Sequence, residues 1–131
     1  MTVGVQRGIG VALAQARAGL DRLSPAEAYE AVRAGAVLVD IRPEQTRAIE
    51  GRLLSGLVMD RNVLEWRLDP ASEACLPIAS YDLQVIIVCN EGYASSLAAA
   101  SLQRLGVYRA TDLVGGYRAW RAAGLPTSAA R

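Results

Sequence analysis

The chain has 131 residues, a formal net charge of +1 and 52% hydrophobic residues, which suits one compact domain with a real core and argues against disorder. Acids and bases are dispersed, which excludes the basic stripe that binds nucleic acid, and no apolar run approaches the ~20 residues that span a bilayer. With no histidine and only two cysteines, neither a Cys–His or Ser–His–Asp site nor a Cys/His zinc site can be assembled within the chain.

The first twenty residues contain Arg7 and Arg17 and no acid, a faint likeness to a targeting segment. Ile9, Leu13, Ala16 and Leu20 fall at helical spacing, so the expected structure is an N-terminal helical extension over residues 1–20, packed on a domain at 21–131. Ser24-Pro25-Ala26-Glu27 is a helix start, with Ser24 as N-cap, Pro25 in the first turn and Glu27 as the capping-box acid. This helix carries Ala28, Tyr29 and Val32 and stops near Gly35. Residues 36–41 read as a buried strand, and Pro43-Glu44-Gln45 opens a helix to about Glu50.

A turn at Leu54-Ser55-Gly56 leads into a short strand, Leu57-Val58-Met59, then a helical stretch over residues 62–68 and a loop with Pro70 and Pro77. Val85-Ile86-Ile87-Val88 is the clearest strand, four β-formers in a row. A helix over 94–105 stops at Gly106, residues 110–114 form the last strand, and Gly115-Gly116 leads into a helix closed by Gly124 and Pro126. Helices alternating with near-continuous apolar strands predict an α/β domain whose central sheet is mainly parallel and covered on both faces.

In such a sheet ligands bind outside the carboxyl ends of the strands, and Cys89 ends the clearest strand there. The turn over Asn90, Glu91, Gly92, Tyr93 and Ala94, with Gly92 free to adopt conformations a β-carbon forbids, should aim its N–H groups inward as an anion-binding nest. The helix start at Ser95 and Ser96 adds unpaired N–H groups and its positive dipole end. A thiolate there gains stability and nucleophilicity at neutral pH. Cys75, between two prolines, reads as packing. The two cysteines lie far apart without a signal-peptide pattern, which favours a reducing, cytoplasmic setting.

Several segments resemble the rhodanese-like domain of the sulfurtransferase superfamily, from about Leu23 to Pro126. Leu23-Ser24-Pro25-Ala26-Glu27 is similar to the family's opening helix, and Val37-Leu38-Val39-Asp40-Ile41-Arg42 to its strand–Asp–Val–Arg signature. Glu50-Gly51-Arg52-Leu53-Leu54-Ser55-Gly56 resembles a degraded Gly-His-Ile-Pro-Gly-Ala segment; Val88-Cys89 followed by Gly92 resembles the active-site loop. Leu113-Val114-Gly115-Gly116-Tyr117-Arg118-Ala119-Trp120, ending in Ala123-Gly124-Leu125-Pro126, resembles the closing motif.

The resemblance implies a three-layer α/β/α domain with about five strands, no cofactor, and a catalytic Cys89 that accepts sulfane sulfur as a persulfide. The loop residues Asn90, Glu91, Gly92, Tyr93, Ala94 and Ser95 would bind the substrate. The partners implied are a small sulfane-sulfur donor or a persulfidated protein, and a thiol acceptor, with no role for nucleic acid or membrane. The loop length is that associated with sulfur transfer; related phosphatases use longer loops.

Two positions depart from the family pattern. Ala94 stands where many members carry an anion-binding arginine, and a Glu91 carboxylate near the thiolate would oppose its ionisation and repel thiosulfate. These features favour a persulfide over thiosulfate as donor, and they also fit an alternative, a rhodanese-like binding or regulatory module without turnover. A Cys-based phosphatase or arsenate reductase would need a guanidinium that the loop lacks, so Arg61 or Arg67 would have to enter from elsewhere. Asp40 and Arg42 either shape the pocket rim or act structurally, Asp40 capping the helix after Pro43 and Arg42 in an ion pair. Trp66 and Trp120 are expected in core or groove.

Overall fold

The computed structural model describes residues 7–128; residues 1–6 of the expected extension and 129–131 of the expected domain lie outside them. In chain order the elements are α1 (Ile9–Ala18), α2 (Pro25–Arg33), β1 (Val37–Asp40), α3 (Glu44–Glu50), β2 (Arg52–Leu53) and β3 (Leu57–Val58). A 3₁₀ turn (Arg61–Val63) then runs into α4 (Leu64–Leu68), followed by β4 (Val85–Val88), α5 (Ala94–Arg104), β5 (Thr111–Asp112), α6 (Gly116–Ala122) and β6 (Thr127–Ser128). Among the described residues no helix is long and apolar enough to cross a membrane.

Helix α2 starts as the capping chemistry requires. The Ser24 hydroxyl accepts from the Glu27 N–H at 3.2 Å, and the Glu27 carboxylate accepts from the Ser24 N–H at 2.9 Å. The main sheet has the order β3-β1-β4-β5, and every pairing in it is parallel. It holds four strands, where about five were expected. The strand expected over 110–114 is only Thr111–Asp112, because the Val114 N–H turns away to the Leu23 carbonyl and Leu113 meets Leu23 in an isolated bridge. A separate antiparallel pair, β2 with β6, joins Arg52 to Ser128 and Leu53 to Thr127; it was not foreseen.

All four β4 side chains are buried, which is why that segment reads as an unbroken apolar run. Val85 and Ile87 face one core with Leu64, Leu68, Ala98 and Leu102 from α4 and α5. Ile86 and Val88, with Leu38 of β1, face the other, built on Ala28, Tyr117 and Trp120 from α2 and α6. The sheet is therefore covered on both faces by helices. Helix α1 lies along α5, but of the expected stripe only Leu20, beyond its end, is buried, and Ile9 is exposed. Trp120 sits in the core, whereas Trp66 is exposed and lines an open groove with Arg61, Glu65 and Leu105.

An ionisable link ties α4 to α5. The Ser101 hydroxyl donates to the Glu65 carboxylate at 2.6 Å, and Arg61 donates to it at 2.8 Å. Partial burial pushes the Glu65 carboxyl up, and these hydrogen bonds outweigh it, leaving the group below its ordinary range. A folded-state carboxyl held below its unfolded value contributes stability that is present above the unfolded value and lost as pH falls through the folded one. The urea midpoint should therefore fall between about pH 5 and pH 3 less steeply in Glu65→Gln than in the parent. Parallel slopes in urea titrations at the two pH values would count against this link.

Candidate active site

The carboxyl ends of β1, β3 and β4 finish together, since Asp40 is in register with Val58 on one side and Val88 on the other. Cys89 follows β4 at that edge and is buried, with 8% of its surface exposed. The chain then turns through Gly92, whose φ of 88° lies in the left-handed region that suits glycine. Helix α5 begins at Ala94.

The start of α6 holds this turn from below. The N–H groups of Tyr117 and Arg118 donate to the carbonyls of Cys89 at 2.8 Å and Asn90 at 3.1 Å, so the first unpaired donors of one helix absorb the loop's carbonyls. Such an approach leaves no room for side chains. A β-carbon on Gly116 would stand 2.5 Å from the Cys89 carbonyl oxygen, and one on Gly92 would stand 2.7 Å from the Gly115 nitrogen. The Gly115-Gly116 pair is thus the floor on which the loop rests.

With its carbonyls held below, the loop turns N–H groups toward sulfur. Gly92 N–H donates to Cys89 Sγ at 3.1 Å and Ser95 N–H at 3.3 Å, and Ser95 Oγ lies 3.2 Å from the same atom. The nest expected from the turn and the helix start is present around the thiol. Donors in this arrangement stabilise an anion on the atom they face.

Glu91 is turned outward. Its carboxylate is 60% exposed and lies 3.3 Å from Arg118 Nη1. Arg118 also bonds Glu50, and that hydrogen bond holds the Glu50 carboxyl below its ordinary range. The repulsion expected of Glu91 is thereby offset by a neighbouring cation and weakened by solvent screening. Tyr93 is exposed, with the Arg17 guanidinium 5.5 Å from its ring centre. Tyr93 and Ala94 border an apolar groove of about 450 Å³ with Ile9, Leu13 and Leu97. Cys75 is half-buried and unpaired.

Asp40 does not cap α3, whose N-cap is Pro43 without any side-chain bond. Its carboxylate is engaged by Arg42 instead, through the Arg42 N–H and Nε at 3.0 Å and Nη2 at 2.8 Å. Arg42 also donates to the Gly51 carbonyl at 2.9 Å and to Asn90 Oδ1 at 3.3 Å, and its guanidinium lies 3.9 Å from the Tyr117 ring centre. The pair is a buried ion pair that reaches the loop through Asn90. Arg61 is bound to Glu65 and Arg67 to the Ala74 carbonyl, so neither is directed at Cys89.

Three residues near the loop escaped the sequence reading: Arg17, Arg22 and Asp112. Asp112 is fully buried and accepts from Ser95 Oγ at 2.7 Å, Ser96 Oγ at 2.8 Å and Arg22 Nε at 2.8 Å. Arg17 and Arg22 both donate to the Gly92 carbonyl, at 2.7 and 3.0 Å. No periodicity or motif announces the arginine contacts, which join groups 70 to 90 residues apart.

Comparison with known proteins gives the family and the fold. The family model for the rhodanese-like domain matches residues 24–123. A thiosulfate sulfurtransferase GlpE of Ectopseudomonas mendocina is 34% identical over 101 residues, 77% of this chain and 84% of its own length. The structure of a Rhodopseudomonas palustris protein of unknown function, described as a possible tyrosine phosphatase, covers 98% of this chain and 99% of its own at 31% identity, with a TM-score of 0.84. A polysulfide-sulfur transferase homodimer from Wolinella succinogenes, 24% identical, shares the fold with a TM-score of 0.70 over 88% of this chain and 83% of its own. By motif order, by sheet topology and by these matches, the chain belongs to the family of rhodanese-like domains.

Proposed function

We propose that this protein is a sulfurtransferase or sulfur carrier whose Cys89 takes up sulfane sulfur and passes it to a thiol. The observation that carries this reading is the pair of backbone N–H groups, Gly92 and Ser95, aimed at a nearly buried Sγ. In the first step the Cys89 thiolate attacks the outer sulfur of a persulfide R–S–SH. The bond between the two donor sulfurs breaks, R–S⁻ leaves and takes a proton from solvent, and the Cys89 side chain becomes the persulfide S–SH. An acceptor thiolate then attacks that outer sulfur and leaves as a persulfide, restoring the Cys89 thiolate. No net oxidation occurs, and the anion formed when the persulfide S–H ionises to solvent between the two steps is the charge that the loop's N–H groups stabilise.

The loop side chains favour a persulfide donor over thiosulfate. None of them carries a cation to bind a sulfonate, and Ala94 and Tyr93 border an apolar groove. A phosphatase reading fits less well, since a tetrahedral phosphate needs a guanidinium at the nucleophile; among the described residues the arginines near the loop bond carbonyls, carboxylates and hydroxyls instead. The test is intact-protein and peptide mass spectrometry after incubation with glutathione persulfide, polysulfide or thiosulfate. The expected result is one added sulfur atom on the Cys89 peptide, removed by a thiol, with the persulfide donors loading faster than thiosulfate. No added sulfur from any of the three would overturn the reading.

A further inference from the structure

We infer that Arg17 and Arg22, with Asp112, are positioning residues that set the reactivity of the Cys89 thiol by fixing the turn at Gly92 and the proton of Ser95. The two arginines come from α1 and the segment after it, outside the residues 24–123 that the family model covers.

The argument is one of donors and acceptors. The Ser96 hydroxyl accepts from Arg17 Nε at 3.0 Å, which leaves its single proton for Asp112 Oδ2 at 2.8 Å. Arg22 binds the same carboxylate through both Nε at 2.8 Å and Nη2 at 3.2 Å. Asp112 therefore keeps a cation and a hydroxyl donor whatever Ser95 does. Ser95 Oγ also has one proton and two takers, Asp112 Oδ2 at 2.7 Å and Cys89 Sγ at 3.2 Å. While sulfur is a thiol, its S–H points at Ser95 Oγ and the Ser95 proton points at Asp112. Once the thiol proton has left to solvent, the hydroxyl is free to turn to the thiolate, because Arg22 and Ser96 still satisfy Asp112.

The same arginines close the turn. The Gly92 carbonyl takes both guanidiniums, and the Gly92 N–H is one of the two backbone donors on Sγ. The charges facing this loop are three ion pairs and one further cation. Glu91 is paired with Arg118, Asp40 with Arg42, and Asp112 with Arg22; Arg17 has its contacts with a carbonyl, a hydroxyl and the Tyr93 ring. Among the described residues, Arg17 is thus the cation at this loop with no carboxylate in direct contact.

The closing experiment measures the rate of Cys89 alkylation by iodoacetamide against pH, read on the Cys89 peptide, with circular dichroism to confirm folding. It needs no sulfur donor, so failure of the proposed sulfur transfer and failure of this inference are told apart. Arg17→Gln should move the midpoint of the profile upward by roughly 0.5–1 pH unit, and Asp112→Asn should move it downward by a similar amount, since one removes a cation and the other an anion. Arg17→Lys should recover part of the shift, because an ammonium restores the charge but not the two-pronged contact. A merely structural network would shift both variants the same way or neither. Profiles moving in the same direction, or an Arg17→Gln profile superimposable on the parent, overturn the inference. If Asp112→Asn does not fold, an upward shift in Arg17→Gln that Arg17→Lys partly reverses sustains the inference, and an Arg17→Gln profile superimposable on the parent overturns it.

Discussion

Cys89→Ser is expected to fold as the parent does and to lose sulfur transfer by on the order of 10³-fold or more, the scale seen when a nucleophile is removed from a preorganised site. The fold should survive because serine leaves every neighbour satisfied. The N–H groups of Gly92 and Ser95, now 3.1 and 3.3 Å from sulfur, keep an oxygen acceptor, and the change in volume is small. The chemistry should not survive, since a hydroxyl stays protonated at neutral pH and forms no bond to sulfane sulfur. Transfer from glutathione persulfide to a thiol acceptor, measured beside a thermal melt, gives both numbers. A variant that melts with the parent yet still transfers sulfur would remove Cys89 from the mechanism. Stable capture of a partner protein, unaffected by Cys89→Ser and without sulfur transfer in the parent, would favour the alternative, a binding module.

The parts of this fold that were legible in the chain are those set by neighbours in sequence. The capping box at Ser24 and Glu27 lies within one helical turn, and four consecutive β-formers marked β4 because all four side chains are buried. The nest at Cys89 was also local: a strand end, a glycine and a helix start occupy seven residues, and their backbone geometry follows from that order. Family resemblance placed Gly115-Gly116 in a closing motif without tying it to Cys89, and the contacts under the loop make that connection, since a β-carbon at Gly116 would press on the Cys89 carbonyl.

What was not legible depends on groups that meet only after folding. Asp112 sits in a strand of two residues, where a carboxylate reads as a strand-end polar residue until Arg22 arrives from ninety positions away. Glu91 seemed an obstacle to the thiolate because Arg118, 27 residues on, could not be placed beside it. The β2–β6 pair was hidden for a similar reason. Each strand is two residues long, too short for any alternation of apolar and polar side chains to show. Asp40 misled in another way. Its spacing before Pro43 suits a helix cap, but Arg42 competes for the same carboxylate with charge-assisted bonds, and these are the stronger kind.

That competition leads to the largest stability effect expected here. Asp40 and Arg42 are 2% and 3% exposed, so the guanidinium has given up its water and relies on the carboxylate to compensate. Asp40→Ala removes that partner and leaves a buried cation facing the Tyr117 ring, the Gly51 carbonyl and Asn90, which should cost about 3–5 kcal/mol. For a domain of this size the melting temperature should fall by more than ~10 °C. Asp40→Asn should cost less, because it keeps an acceptor for the Arg42 N–H while losing the charge. The double change Asp40→Leu with Arg42→Met should recover much of the loss, since apolar replacements of both partners need no compensation. Chemical denaturation of the three variants separates the explanations. If the double variant is as unstable as Asp40→Ala, the loss lies in packing around β1 and not in a stranded charge. If it recovers, the loss lies in the Arg42 guanidinium left buried without its carboxylate.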